Sequence, residues 1–379
     1  MTLRTALRGA RAYMQNSPTS IRVDILRMLQ RTKNRALHAT PRRLKAIIPR
    51  RRARVWIDGK KAFRRIRQLI ELSEESIIIR MFIWKDDATG QSIRDVLLRA
   101  ADRGVHISIS KEASGDFFEL HQSFLDTKNS SDPQWKVFWK HRNIVREHTA
   151  TRDHSKIFIV DENIVLLTGM NIAEEYEYQW HDYMVELCGA HFVRDITAEK
   201  TTKNIRAKER IVVNMDNRMD VRSRLTEILR HAKRSITIEH CYFHDDAITR
   251  ELIAKSKEGI RIVIIIPKRT DVGHNGNMET VQRLVTEGNQ KNIHIMLYPT
   301  MFHAKLLVVD KKIAFLGSAN LNTLSLDRTG EVCIELRGRT SAMRKIRRSI
   351  RRSIFRSHPM KKSSSSRATL VWILSMMGL

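Results

Sequence analysis

Two imidazoles, two ammonium groups, two carboxamides and two pairs of carboxylates recur in this chain at matching intervals. From His154, Lys156 lies two residues on, Asp161 seven, Asn171 seventeen and Asp182 twenty-eight. From His303, the same offsets reach Lys305, Asp310, Asn320 and Glu331. Paired imidazoles suit nucleophilic attack and general acid–base transfer. Ammonium and carboxamide donors suit the stabilisation of developing negative charge, and a carboxylate behind an imidazole fixes its tautomer. Each residue alone has an ordinary explanation, a core histidine or a strand-edge lysine. Five polar positions recurring in register are better explained by chemistry.

The spacing also implies the elements that hold these groups. Residues two apart on a strand share a face, so each His and its Lys point the same way. The apolar run after each Lys is the buried remainder of the strand, and a turn and a second strand return the Asn. Upstream, Ser76–Asp87 resembles Ser235–Asp246: each is a β-branched and aromatic run that stops at paired aspartates. Helical patterns follow (Ile93, Val96, Leu97, Ala100; Ile248, Leu252, Ile253), Gly104 and Gly259 end them, and strands begin at Val105 and Ile260. Strand–helix–strand order implies parallel pairing. The expected fold is α/β, with two similar halves, each a mixed, mostly parallel sheet flanked by helices, packed around one shared site. The expected divisions are a basic N-terminal arm (1–54), a first half (55–197), a linker (198–210), a second half (211–336) and a basic amphipathic helix with an apolar tail (337–379). Residues 112–150, with Trp135, Phe138 and Trp139, read as a long loop near the site mouth.

Composition narrows the function classes. With 379 residues and 42% apolar content, the chain can bury a sizeable core. No apolar run approaches the ~20 residues of a membrane-spanning helix. Cys188, Cys241 and Cys333 are too scattered for a disulfide framework or a zinc site, which fits a reducing compartment. No cofactor or metal is called for. The net charge of +28 is concentrated at the ends. Residues 1–54 hold 15 Lys/Arg against Asp24, and 337–367 hold 12 without an acid, leaving a near-neutral middle. A nuclease generally needs a cationic groove beside its catalytic residues, so this distribution weighs against a nucleic-acid partner. Basic arms on a neutral body fit an anionic phospholipid surface better.

The arms carry apolar stripes. Met343, Ile346, Ile350 and Ile354 alternate with arginines, as Ile21, Ile25 and Leu29 do upstream, and Ala368–Leu379 is apolar. These features point to an interfacial amphipathic helix and a tail able to enter a bilayer surface. Peripheral attachment to the cytoplasmic face of an inner membrane follows. The Arg-rich, acid-free residues 1–23 also match an organelle transit peptide. Oligomeric state is not legible.

The two H-x-K-x4-D motifs, each followed by a turn and Asn, resemble those of the phospholipase D superfamily over roughly residues 55–336. Gly169–Tyr176 with Trp180-His-Asp182, Phe302–Asp310, Gly317–Leu321, Tyr242-Phe243, and Pro267 with Asp271 are similar to bacterial cardiolipin synthases. Ser155 and His181 stand where those synthases commonly carry Arg, and Thr168 where they carry Gly. The resemblance implies two phospholipase D-like halves and a phosphatidyltransferase making cardiolipin from two phosphatidylglycerol molecules. It implies a phosphohistidine intermediate on His154, with His303 as acid/base; the internal symmetry alone does not choose between them. Lys156, Lys305, Asn171 and Asn320 would surround the phosphate oxygens, with Ser318 a further donor. Asp182 and Glu331 would orient the imidazoles, and Asp161 and Asp310 complete the motifs as structural partners. The alternatives are a phosphodiesterase hydrolysing phospholipid or nucleic acid, and a binding protein with a degenerate site.

Overall fold

The β-branched runs form strands and the amphipathic stretches form helices, in an order that repeats. The structure, a computed structural model, describes residues 53–115, 119, 132–149, 152–215 and 218–360. The first half comprises β1 (Ala53–Ile57), α1 (Gly59–Leu72), β2 (Ser76–Met81), α2 (Ala88–Asp102), β3 (His106–Glu112), α3 (Gln134–Lys140), β4 (Ile144–Thr149), β5 (Ile157–Val160), β6 (Ile164–Thr168), β7 (Tyr183–Cys188) and α4 (Ala190–Thr197). The second begins with β8 (Glu209–Met215), β9 (Arg218–Met219), α5 (Asp220–Arg230), β10 (Ser235–His240), β11 (Phe243–His244), α6 (Asp246–Lys257) and β12 (Arg261–Pro267). It continues with α7 (His274–Glu287), β13 (Ile293–Tyr298), β14 (Lys305–Val309), β15 (Ile313–Gly317), β16 (Leu321–Asn322), α8 (Thr323–Asp327), β17 (Glu331–Arg337), α9 (Ser341–Arg356) and β18 (His358–Pro359).

One sheet has the order β1-β7-β6-β5-β2-β3-β4, and the other β18-β13-β12-β10-β14-β15-β17-β8-β9. Removing β18 and β9 leaves the same seven-strand plan in both. The expected α/β class with two alike halves holds. The parallel share is smaller than expected: pairing is parallel through β2-β3-β4 and β10-β12-β13. The strands carrying the recurring motifs pair antiparallel. Each motif is two hairpin-connected strands, which needs no helical crossover.

Strand alternation builds three layers of core. Ile157 and Ile159 of β5, with Leu306 and Val308 of β14, face a central core between the two sheets. Phe158 and Val160 face outward onto α1 and α2, and Leu307 and Val309 onto α5, α6 and α7. The helices are fixed where the sequence places them. Asp87 caps α2 by accepting from Gly90 N–H (2.9 Å), and Asp245 caps α6 through Ile248 N–H (3.0 Å). Gly104 and Gly259 follow α2 and α6 at φ +92° and +89°, where nothing crowds them, so conformation rather than space calls for glycine.

Two expectations are corrected. The stretch 112–150 includes α3 and edge strand β4; Trp135 and Phe138 are buried, and Trp135 Nε1 donates to Asp86 (2.7 Å). The stripe Met343, Ile346 and Ile350 does not face a membrane. It belongs to the central core, with Ile354 packed against it, because α9 lies across β1, β13 and β17. The N-terminal stripe and the tail Ala368–Leu379 lie outside the described residues. Among the described residues, no helix is long and apolar enough to cross a membrane.

Candidate active site

His154 and Lys156 lead into β5, and His303 and Lys305 lead into and open β14. Asn171 and Asn320 follow β6 and β15, and Asp182 and Glu331 stand at the start of β7 and β17. All eight therefore sit at the sheet ends where the parallel strands finish, the usual ligand end of such sheets.

The backbone joins the two halves there. His154 N–H donates to Gly330 O (2.8 Å), Gly330 N–H to Arg152 O (2.8 Å), and His303 N–H to His181 O (2.9 Å). Gly330 and His181 immediately precede Glu331 and Asp182. Each half thus delivers its acid to the imidazole of the other: His154 Nδ1 lies 2.9 Å from Glu331 Oε1, and His303 Nδ1 3.1 Å from Asp182 Oδ2. His154 Nε2 is left for chemistry, whereas His303 Nε2 lies 3.0 Å from Lys305 Nζ. Lys156 Nζ donates to His154 O (2.7 Å), and Lys305 Nζ sits against the His303 ring and donates to His303 O (3.0 Å).

The two acids are held differently. Glu331 accepts from the hydroxyls of Ser318 and Ser325, and from Thr329 Oγ1 at 3.2 Å. Burial opposes its ionisation, but His154, Lys156 and the Ser318 hydroxyl outweigh it and keep the carboxyl below its usual range. Asp182 accepts from Tyr183 N–H (2.7 Å) and packs against Gly169. Burial pushes it up to about 7, with Lys305 opposing. Burial and then Lys156 hold His154 below the usual imidazole range, against the pull of Glu331. Burial, Lys305, Lys156 and His154 hold His303 well below it. Burial also brings Lys156 down to about 7, against Glu331. Lys156 and His154 of the first half act on His303, and Lys305 of the second half acts on His154, so the charges of the two halves lie within reach of one another. His303 Nδ1 and Asp182 Oδ2 lie within hydrogen-bond distance, burial favouring the neutral form of both.

Several expected members are elsewhere or otherwise engaged. Asp161 and Asp310 lie at the far ends of β5 and β14. Asp161 accepts from the N–H groups of Glu74, Glu75 and Ser76, and Asp310 from those of Lys233, Arg234 and Ser235. Each opens a three-residue hairpin connection whose first two residues have positive φ (Asp161-Glu162, Asp310-Lys311), and ties it to the start of β2 or β10. Both stand at the opposite ends of their strands from the imidazoles. Ser318 Oγ donates to Glu331. Asn171 accepts from Ile83 N–H (3.1 Å) and donates to Tyr176 Oη (2.8 Å). Asn320 N–H donates to Ser325 Oγ (2.9 Å).

Aromatic rings frame the imidazoles. Tyr176, Trp180 and Tyr242 surround His303 with centroids at 5.0, 5.9 and 5.9 Å, and Phe82 meets His154 at 4.7 Å. Phe82, Ser325 and Thr329 carry no sequence signal of their own, because a strand-end aromatic and two hydroxyls gain meaning only once Glu331 and His154 are placed. His181 lies behind the site between Asp58 (Nδ1–Oδ1 2.5 Å) and Glu239 (Nε2–Oε1 3.4 Å). Burial disfavours its charge, but Glu239 and Asp58 overcome that and raise it to about 10. Among the described residues, no group of three or more His, Cys, Asp or Glu side chains could hold a metal ion.

Comparison with known proteins agrees with this geometry. The family model described as "Cardiolipin synthase, PLD-like domain" matches twice, over residues 66–201 and 225–354. Cardiolipin synthase from Halalkalibacterium halodurans is 25% identical over 313 residues, covering 74% of this chain and 61% of that protein. Its counterpart from Alkalihalophilus pseudofirmus is 26% identical over 327 residues, covering 77% and 64%. Cardiolipin synthase B of Escherichia coli K12 is 24% identical over 307 residues, covering 71% and 72%. The chain therefore spans less than two thirds of the length of the first two. Among solved structures, phosphatidylserine synthase from Haemophilus influenzae superposes with a TM-score of 0.68 at 12% identity, over 83% of this chain and 88% of that one. Polyphosphate kinase from Porphyromonas gingivalis gives 0.58 at 14%, over 86% and 56%. These two speak for the fold. Matched across both halves by the family model, the chain belongs to the cardiolipin synthase, PLD-like domain family.

Proposed function

We propose that the protein is a phosphatidyltransferase that makes cardiolipin and glycerol from two phosphatidylglycerol molecules on an anionic membrane surface. The observation that carries this reading is the crossed pairing of His154 with Glu331 and His303 with Asp182. Ionised Glu331 holds the Nδ1 proton of His154 and leaves the Nε2 lone pair free, so His154 is the nucleophile. The His303–Asp182 pair carries a labile proton, so it is the acid.

Nε2 of His154 attacks phosphorus of the first phosphatidylglycerol. The bond from phosphorus to the glycerol head-group oxygen breaks, and His303 protonates that oxygen. Glycerol leaves and a phosphatidyl–His154 adduct remains. Neutral His303 then takes the proton from a head-group hydroxyl of the second phosphatidylglycerol. That oxygen attacks phosphorus, the P–N bond breaks, and cardiolipin forms. Lys156 and Lys305 supply positive charge to the phosphate oxygens in both transition states. Water in place of the second lipid would give phosphatidic acid, and the partly exposed His154 ring (side chain 16% exposed) makes this the second reading.

Product analysis tests the proposal. The protein is incubated with phosphatidylglycerol vesicles and, separately, with labelled single-stranded DNA. Cardiolipin with equimolar glycerol is expected. Phosphatidic acid alone would replace transfer by hydrolysis, and cleaved DNA would overturn the lipid assignment.

A further inference from the structure

The apolar stripe of α9 is consumed by the central core, so its opposite face is the one left to do something. At about 100° per residue, the buried Ala342, Met343, Ile346, Ser349, Ile350 and Ser353 occupy one side of the helix. Arg344, Arg347, Arg348, Arg351, Arg352 and Arg356 are exposed on the other. Phe355 projects from the middle of that arginine arc and is 91% exposed. No acid interrupts the arc. The cationic field extends past the helix edge, since Lys345 feels both Lys61 and Arg54. An aromatic ring at the centre of an arginine face gains nothing from water. It is matched by a surface that is anionic outside and apolar just beneath.

The face is rigidly tied to the site. Ser349 and Ser353 of α9 lie beside Tyr183 and Glu239, next to His181 and Asp182. Arg356 reaches Tyr298 Oη (3.5 Å), and its charge acts on Asp58, the partner of His181. The chain's terminal segments outside the described residues do not complement the face: residues 1–52 and 361–379 are themselves net positive.

We infer that the outward face of α9, six arginines around Phe355, docks the protein on an anionic lipid bilayer and presents the site to lipid head groups. This rests on the phosphatidyltransferase reading for its purpose but not for its test. Each arginine near such a surface contributes about five-fold in partitioning at moderate salt, and burial of the phenyl ring about ten-fold.

The test compares the full chain with Arg347→Glu/Arg351→Glu and with Phe355→Ala. Vesicles of phosphatidylglycerol in phosphatidylcholine, vesicles of phosphatidylcholine alone, and a single-stranded DNA probe are used. Binding of the charge variant to anionic vesicles should fall by about 100-fold or more, with a weaker salt dependence. The Phe355 variant should lose about ten-fold with the salt dependence intact. Both should melt like the parent and turn over dispersed short-chain phosphatidylglycerol within about two-fold of it. Undiminished vesicle binding in both variants overturns the inference. So does a face that binds DNA more tightly than vesicles and loses only DNA on substitution. Reduced vesicle binding in a protein that converts no lipid would sink the phosphatidyltransferase reading and leave the docking face standing.

Discussion

Gly169→Ala should disable the catalytic pair on the His303 side without touching any ionisable group. Gly169 has no positive φ to protect, so alanine fits its backbone. A Cβ there would lie 2.7 Å from Asp182 Oδ2 and 3.0 Å from Oδ1, where ordinary contact starts at 3.4 Å. The carboxylate must withdraw by about 0.7 Å. Withdrawal directed away from His303 stretches its present 3.1 Å contact with Nδ1 to as much as about 3.8 Å, beyond hydrogen-bond reach. Loss of imidazole orientation costs about 10²–10⁴ in kcat. Overpacking should cost no more than about 3 kcal/mol of stability. Steady-state turnover and a thermal melt are measured for Gly169→Ala, Asp182→Asn and the double variant. The two lesions act through one bond, so the double variant should be no slower than the worse single. A well-folded Gly169→Ala with kcat within about three-fold of the parent, or additive losses, refutes the role given to Asp182.

Further expectations follow from the same geometry. Asp161→Ala and Asp310→Ala should each lower stability by about 1–3 kcal/mol in urea melts, because three backbone N–H groups lose their carboxylate, while kcat stays within about three-fold. A loss of turnover in a stable variant would return these residues to the chemistry. The pH–rate profile should be bell-shaped and displaced to the acid side. Protonation of His154 forms its lower limb below the usual imidazole range, and loss of the His303–Asp182 proton forms its upper limb. The same upper limb in Asp182→Asn would contradict this. His181 is raised to about 10, so its contribution to stability should be complete below about pH 6.5 and disappear as pH climbs through about 10. His181→Arg should flatten that slope. His181→Gln, which leaves Glu239 buried without its cation, should cost about 3–5 kcal/mol in denaturant melts. Equal stability of the Gln and Arg variants would refute the ion-pair role.

The recurrence of His, Lys, Asn and acid was legible because two hairpin-connected strands fix those intervals, and a duplication prints them twice. The helix starts at Asp87 and Asp245 and the stops at Gly104 and Gly259 were legible because capping is local. The crossed pairing was not. An offset of twenty-eight residues gives each half an acid, but face-to-face packing of two sheets decides whose imidazole it meets. The same limit applies to α9: its periodicity specifies an amphipathic helix and says nothing of whether a core or a membrane covers the stripe. It applies again to Ser318, whose turn position matches Gly169 while its hydroxyl serves Glu331. Edge strand β4 was hidden because its short run follows an irregular stretch.

The most direct test of the shared two-half site is to trap its covalent intermediate. The protein is mixed briefly with phosphatidylglycerol labelled at phosphorus, quenched in alkali to preserve phosphohistidine, digested and mapped. A lipid-phosphate adduct on His154 is expected, absent in His154→Ala and both formed and turned over far more slowly in His303→Ala. Turnover with no adduct, or equal labelling of both histidines, would contradict it.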